Sequence, residues 1–188
     1  MADLMSGPTA PLSKAFLWCG WRCLPVDWLL DPSHDLSHPL RHKSLADQLQ
    51  SVDFICAAMD CSTKSRAREI PRVFDDGRPA PKPLRSEEFP EGLPSLTQSQ
   101  QNRVDTDNSA TEFLLDQIQQ LALRGGGSVR ENPWRSLHWF LPQEHAMMES
   151  GLWQDKRYSA CCLMGARAKS QCLRRNLDEI AHLEDRGG

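Results

Sequence analysis

A cysteine, a serine and two arginines follow directly after a short apolar run in the first third of the chain. The run covers Val52–Met59, and Cys61, Ser65, Arg66 and Arg68 come next. A buried strand that ends in a thiol and continues into a basic loop has this pattern. A thiol delivered to the edge of a sheet can act as a nucleophile. The alternative is an inert buried thiol, because free cysteine is among the most buried residue types.

A glycine turn and an acidic residue precede this segment at a spacing typical of a nucleotide-binding unit. The apolar start of the chain breaks at Ser6 and Gly7, and Asp27 follows Gly7 by 20 residues, with Trp28 directly behind it. In a strand–helix–strand unit of this kind, an acid at the end of the second strand accepts hydrogen bonds from ribose hydroxyls. A helix-capping or turn aspartate is the alternative reading of Asp27.

Strands and helices alternate along the predicted chain. Helical spacing of apolar residues predicts helices at 11–20, 40–50, 97–123, weakly at 142–151, and at 173–183. Strands are predicted at the start of 3–10, at 21–28, 52–59 and 158–164, with one more ending at Glu131. This order predicts an α/β fold with a mainly parallel sheet in a single domain over residues 1–180, followed by a polar tail at 181–188. Such sheets bind ligands at the carboxyl ends of their strands, where Gly7, Asp27, Cys61 and Glu131 would gather.

Two irregular stretches interrupt this alternation. Residues 71–96 contain six of the 13 prolines and many charges, so we predict a long irregular loop there. The glycine run at 125–127 lacks a following Lys-Ser/Thr pair, so it predicts a helix end rather than a phosphate-binding loop.

Composition limits the classes of protein that fit. The seven cysteines among the 188 residues, with no secretory signal, indicate free thiols in a reducing, intracellular compartment. No apolar run is long enough to span a membrane, and His34 and His38 have no partner at zinc-like spacing, so neither a membrane span nor a metal site is predicted. The net charge of −3 argues against strong generic nucleic-acid binding but leaves room for a local basic rim. A solvated loop explains those arginines equally well.

Several of these motifs, in this order, resemble the cytosine-5 DNA methyltransferases. Asp3-Leu-Met-Ser-Gly7 is similar to the family's D-L-F-S-G turn, and Asp27-Trp28 to its acidic–aromatic pair. The strand running to Cys61, with Ser65 four residues on, resembles the segment that carries the catalytic Pro-Cys. Arg130-Glu131-Asn132-Pro133 resembles the family's Glu-Asn-Val element. The resemblance covers residues 3–136.

The resemblance implies a Rossmann-like sheet that binds S-adenosylmethionine and acts on cytosine in DNA, which in a eukaryote would imply residence in the nucleus. Cys61 would be the nucleophile, Glu131 the acid at the ring N3, and Ser65 their companion in the catalytic segment. Cofactor contacts would come from one group of residues, Asp3, Ser6, Gly7, Asp27, Trp28 and Asp35. Contacts to DNA would come from another, Arg66, Arg68, Arg167 and Lys169.

The chain also departs from the family pattern. Asp60 stands where the family has proline, and a carboxylate beside the thiol should raise the pKa of Cys61. We find no Gln-x-Arg-x-Arg element, for which Arg167 and Lys169 are weak substitutes, and no target-recognition domain. Two further hypotheses therefore stay open: a catalytically inactive, truncated relative with a binding or structural role, and an unrelated α/β binding module.

Overall fold

The computed structural model describes residues 1–159 and 169–177 and contains one six-stranded sheet with helices packed on it. The strands are β1 (Ala2–Leu4), β2 (Leu24–Val26), β3 (Phe54–Ala58), β4 (Gly127–Pro133), β5 (Gln154–Ser159) and β6 (Ser170–Arg175). The helices are α1 (Pro11–Trp18), α2 (Pro39–Leu49), α3 (Gln98–Leu123) and α4 (Pro142–Glu149). Three short 3-10 helices lie at Pro32–His34, Arg66–Glu69 and Leu137–Phe140.

The sheet is mixed, with the strand order β2-β1-β3-β4-β6-β5. Strands β2, β1, β3 and β4 run parallel to one another, whereas β6 runs antiparallel to both β4 and β5. The expected α/β fold with a mainly parallel sheet is therefore confirmed at that level. The antiparallel pair at one edge is the part that strand–helix alternation did not predict.

The two faces of the sheet carry different residues, because side chains alternate along each strand. One face, here called the core face, bears Leu4 and Ala57 and packs against apolar residues of three helices. Those residues are Leu45 and Leu49 of α2, Phe113, Leu114, Leu115, Ile118 and Leu121 of α3, and Met147 of α4. The opposite face, here called the front face, bears Asp3 and Cys56, which are in register, and Glu131, which is in register with Ala58. Helix α1 packs on the front face.

Helix α3 begins and ends as the sequence predicts. Thr97 and Gln100 form a reciprocal capping box at its start, which satisfies backbone N–H groups that have no partner inside the helix. Gly125, with φ of 79°, follows its end in the left-handed conformation that glycine adopts at little cost. The interpretation of this glycine run as a helix end is confirmed.

The Pro-rich segment is irregular, as predicted, with one isolated bridge between Val73 and Pro79. Its second half is nevertheless anchored, because Leu84 and Arg85 are almost completely buried. The segment therefore packs on the domain near α3 instead of extending freely from it.

The prediction of a helix at 173–183 is wrong for the residues that the structure describes there. Residues 170–175 form strand β6, in which Cys172 and Arg174 face the buried core side between β4 and β5. Pairing of Arg174 with the buried carboxylate of Glu144 and with Asp155 outweighs the local helical spacing, a common case of tertiary contacts overriding propensity. The strand predicted at 158–164 starts earlier, at Gln154. Residues 160–164 and the tail at 181–188 lie outside the described residues.

Candidate functional site

Cys61 lies three residues beyond the end of β3, in the turn that leaves the carboxyl edge of the sheet. Its side chain is half-buried. Burial raises the pKa of the thiol, the nearby carboxylates of Asp60 and Glu131 raise it further, and Lys169 opposes them. The thiol therefore carries less thiolate at neutral pH than a free cysteine would.

Glu131 lies on the adjacent strand β4, in register with Ala58 of β3. Neighbouring strands are about 4.8 Å apart, so Glu131 lies one strand away from the point where the chain leaves β3 towards Cys61. The Oε1 atom of Glu131 is buried and accepts no hydrogen bond from the described residues. Burial raises the pKa of this carboxyl, with Lys169 opposing, so Glu131 holds its proton to a higher pH than a free glutamate does.

Asp60 is held by the residue that follows Cys61. Its carboxylate accepts hydrogen bonds from the backbone N–H and the hydroxyl of Ser62, both at 2.8 Å. Asp60 raises the pKa of Cys61, as the sequence predicts. Burial of the thiol is nonetheless the larger cause, and the position of a residue in a strand–loop segment does not reveal its depth.

The remaining residues of the Cys61 segment serve its local structure. Ser65 accepts a hydrogen bond from the backbone N–H of Ala67 at 3.2 Å and so caps the short 3-10 helix at Arg66–Glu69. Arg66 pairs with the carboxylates of Glu69 and Glu87. Arg68 donates to two backbone carbonyls.

The two remaining basic residues that the resemblance assigns to DNA differ in what the structure says of them. Arg167 lies outside the described residues. Lys169 is exposed, and its charge acts on both Cys61 and Glu131.

The glycine turn after β1 contacts Asp27, the acid that follows β2. The backbone N–H of Gly7, at φ of 71°, donates to Oδ2 of Asp27 at 2.8 Å, and Leu29 N–H donates to Oδ1 at 2.9 Å. The Ser6 hydroxyl donates a long hydrogen bond, 3.4 Å, to the Gly7 carbonyl, and its backbone N–H donates to the Val26 carbonyl at 3.4 Å. Each carboxylate oxygen of Asp27 thus retains acceptor capacity for a ligand hydroxyl.

Asp3 has a different role from the neighbouring turn. It is buried, and its Oδ2 accepts hydrogen bonds from the backbone N–H and the hydroxyl of Ser13 at 3.1 and 2.8 Å. Burial raises the pKa of Asp3, and the nearby Asp27 adds to this while the Ser13 bonds oppose it. The carboxylate therefore ties the start of α1 to β1.

A cavity of about 560 Å³ lies beside this turn. Asp27, Trp28 and Asp35 line it, and Trp28 is 61% exposed, so its ring is open to a ligand. Asp35 uses Oδ1 for the backbone and hydroxyl of Ser37, and no hydrogen bond within the described residues engages its Oδ2. The volume is in the range of small-molecule sites. Free acceptors and an open indole ring suit a ligand with hydroxyls, an amino group and an aromatic ring, as S-adenosylmethionine has.

The cavity and the Cys61–Glu131 pair are adjacent rather than coincident. Asp60, Ser62 and Thr63 line the cavity, whereas Cys61 and Glu131 do not. Asp3, Ser6 and Gly7 are also absent from its lining. The structure therefore brings the proposed cofactor residues Asp27, Trp28 and Asp35 together and connects them to Cys61 through its neighbours in the chain.

A buried charge cluster that the sequence analysis missed holds the Cys61 segment in place. Asp107 of α3 accepts hydrogen bonds from Thr63, from Lys64 at 2.6 Å and from Arg85 at 3.0 Å. Lys64 also donates to Thr111 at 2.8 Å. The side chains of Lys64 and Arg85 are completely buried. The amphipathic spacing of α3 does not indicate this cluster, because Asp107 has the same sequence pattern as the exposed polar residues of the helix.

A second buried cluster lies behind Glu131, on the core face of β4. The Glu144 carboxylate accepts from Arg130 at 2.8 and 2.6 Å, from Arg174 at 2.8 Å and from His138 Nε2 at 2.7 Å. Arg174 also pairs with Asp155. Burial lowers the pKa of His138 although Glu144 opposes this, so the neutral ring donates its Nε2–H. The core face of the strand that carries Glu131 is thus held by specific contacts.

No protein-family model, no curated protein and no solved structure matches the chain.

Within the described residues, every helix is too short or too polar to cross a bilayer. The same residues contain no group of three His, Cys, Asp or Glu side chains placed to hold a metal ion.

Proposed function

We propose that the chain is an S-adenosylmethionine-dependent methyltransferase-like protein with a Rossmann-like sheet, acting on cytosine in DNA through Cys61. The observation that carries this proposal is the position of Cys61 and Glu131 near the carboxyl ends of neighbouring parallel strands, where a buried carboxyl oxygen of Glu131 has no partner among the described residues. A cavity lined by Asp27, Trp28 and Asp35 lies alongside.

The two residues have complementary roles in this chemistry. The Cys61 thiolate adds to C6 of the cytosine ring, which makes C5 nucleophilic. Glu131, whose raised pKa favours its protonated form, would donate a hydrogen bond or its proton at N3 and stabilise the charge that develops there. C5 would then bond to the methyl group of the bound cofactor, whose sulfur would keep the electron pair of the broken bond. Loss of the C5 proton to solvent and departure of the Cys61 thiolate would restore the ring. The base has to leave the duplex to reach both groups.

The cavity would orient the cofactor, which supplies an electrophilic methyl group when it is bound. Asp27 would accept hydrogen bonds from ribose hydroxyls, and Trp28 would stack on the adenine ring. Asp35 would accept from the adenine amino group. Asp60, Ser62 and Thr63 connect this cavity to the nucleophile.

A second candidate function is a catalytically inactive relative that binds cofactor or nucleic acid without methyl transfer. One observation favours it: burial and the neighbouring Asp60 both raise the pKa of Cys61. A small thiolate fraction lowers the rate of addition to the ring, although it does not affect binding in the cavity.

Covalent trapping separates the two candidates. With S-adenosylmethionine and an oligonucleotide containing 5-fluorocytosine, the unmodified protein should form a denaturation-resistant adduct, because fluorine blocks the final elimination. Cys61→Ala should form none. Cys23→Ala, which changes a half-buried thiol near the amino ends of the strands, is the matched control and should behave like the unmodified protein.

Calorimetry with S-adenosylmethionine tests the cavity independently. Binding that is lost in Asp27→Ala, combined with no adduct in any form of the protein, would favour the inactive candidate. No binding heat with the unmodified protein, even at millimolar cofactor, would rule out both candidates and leave an unrelated α/β binding module.

A further inference from the structure

Arg68 lies beside the cavity and makes no ion pair with a carboxylate among the described residues. Its Nε donates to the carbonyl of Ser62 at 2.6 Å, and its Nη1 donates to the carbonyl of Lys82 at 3.1 Å. Ser62 itself lines the cavity. Two carbonyls fix the direction of the guanidinium without neutralising its charge, because a carbonyl carries only a partial negative charge.

Arg103 on the second turn of α3 approaches the same place from the other side. It is exposed and lines the cavity together with Asn102 and Thr106. Within residues 1–159 and 169–177, its side chain makes no hydrogen bond or ion pair. Arg103 and Ser62, whose carbonyl holds Arg68, line the same cavity, so two positive charges lie at its rim. The charge of Arg103 acts on Arg68, because it adds to burial in lowering the pKa of Arg68.

Arg66 provides the contrast within the same loop. Its charge is compensated by Glu69 and Glu87, and its guanidinium also donates to the carbonyl of Arg135. A ligand anion would have to displace these carboxylates. At Arg68 and Arg103 an anion would displace no carboxylate of the described residues.

We propose that Arg68 and Arg103 form a binding site for a backbone phosphate of DNA at the rim of the cavity. Guanidinium groups bind phosphate oxygens with charge-assisted, often bidentate hydrogen bonds, and phosphate contacts fix the register of a nucleic acid on a protein. The acidic residues Asp27, Asp35 and Asp60 line the cavity itself and would keep the phosphate at its rim. This site rests on the proposed function, because it names the contact that would position the target strand beside Cys61.

The test measures binding of a short fluorescein-labelled, cytosine-containing oligonucleotide by anisotropy between about 50 and about 200 mM salt. Arg103→Gln should weaken binding about tenfold at the lower salt concentration, as expected for one charge-assisted contact. The slope of log K against log salt should decrease by about 0.7 for a single strand or about 0.9 for a duplex. Arg103→Lys keeps the charge and should recover most of the affinity and of the slope.

Arg124→Gln is the matched control, because Arg124 caps the opposite end of the same helix and its guanidinium donates to the carbonyl of Leu49. Calorimetry with S-adenosylmethionine on the same variants shows whether Arg103 binds a DNA phosphate or the carboxylate of the cofactor. Equal effects of Arg103→Gln and Arg124→Gln on DNA binding would overturn the site alone. Loss of cofactor affinity in Arg103→Gln without loss of DNA affinity would overturn it as well. If the unmodified protein binds S-adenosylmethionine but no DNA, both this site and the DNA part of the proposed function are wrong.

Discussion

Substitution of Glu144 by glutamine should destabilise the protein strongly, because this single carboxylate partners three buried groups. Arg130, His138 and Arg174 all donate to it, and the side chains of Glu144, Arg130 and His138 are completely buried. Removing one member of a buried ion pair leaves an uncompensated charge, which costs about 3–5 kcal/mol. For a domain of this size, that corresponds to a fall in Tm of about 6 to 20 °C.

Chemical denaturation followed by tryptophan fluorescence measures this loss, and two variants serve as comparisons. Asp155→Asn removes a carboxylate that is 24% exposed and contacts Arg174, which keeps Glu144 as a partner, so its cost should be clearly smaller. A double variant, Arg130→Met with Glu144→Leu, removes charges of both signs and should cost less than the sum of the single changes. A loss below about 1 kcal/mol in Glu144→Gln would refute the reasoning.

The pH dependence gives a further check on the same carboxylate. Burial opposes ionisation of Glu144, but Arg130 and His138 outweigh it and hold its pKa well below the usual 4.5. A group whose pKa is lower in the folded state contributes stability above its unfolded pKa and loses it as the pH falls through the folded pKa. The difference in stability between the unmodified protein and Glu144→Gln should therefore narrow below about pH 4.5.

Three further predictions concern the front-face site and the segment that holds it. Glu131→Gln should raise Tm at about pH 8, because the raised pKa of Glu131 means that its ionised form opposes folding. Thermal unfolding at several pH values should show that this gain in Tm vanishes below about pH 4.5. Asp60→Asn should lower the pKa of Cys61 and speed its alkylation by iodoacetamide about two- to threefold, as expected for roughly 0.5 kcal/mol between partly exposed charges, and an unchanged rate would show that burial alone sets this pKa. Asp107→Asn should cost about 3–5 kcal/mol in urea unfolding because it leaves two buried cations unpaired, whereas Asp105→Asn, an exposed change on the same helix, should cost less than about 0.5 kcal/mol.

Periodicity predicted most of the fold because the elements with the clearest spacing are also those buried on one side. Helix α3 and strand β3 lie close to their predicted positions, since an apolar stripe or an apolar run reports directly on contact with the core. Strand β6 was predicted as a helix because its stabilising contacts are charged. The pairing of Arg174 with Glu144, 30 residues away, leaves no periodic signal in the sequence.

The candidate site was predictable only as far as local spacing determines contact. The 20-residue spacing from Gly7 to Asp27 did correspond to a direct hydrogen bond, because a strand–helix–strand unit fixes the distance between its two turns. Asp3 was expected to contact a ligand, but its carboxylate instead holds Ser13 at the start of α1. Whether an acid binds a ligand or caps a helix depends on its depth and direction, which spacing does not determine.

Strand β4 connects the buried charge cluster around Glu144 with the chemistry proposed for Glu131. Arg130 faces the core side, where Glu144 holds it, and Glu131, the next residue, faces the front side beside Cys61. Burial raises the pKa of a carboxyl group, whereas a neighbouring arginine lowers it. Glu131 therefore keeps its raised pKa on the face opposite to the arginines that stabilise the strand. Because side chains alternate between the faces of a strand, the consecutive residues Arg130 and Glu131 can meet the two requirements on opposite faces. A change at Glu144 should therefore alter covalent trapping only through the position of β4, and it should leave the direction of the Glu131 pKa shift unchanged.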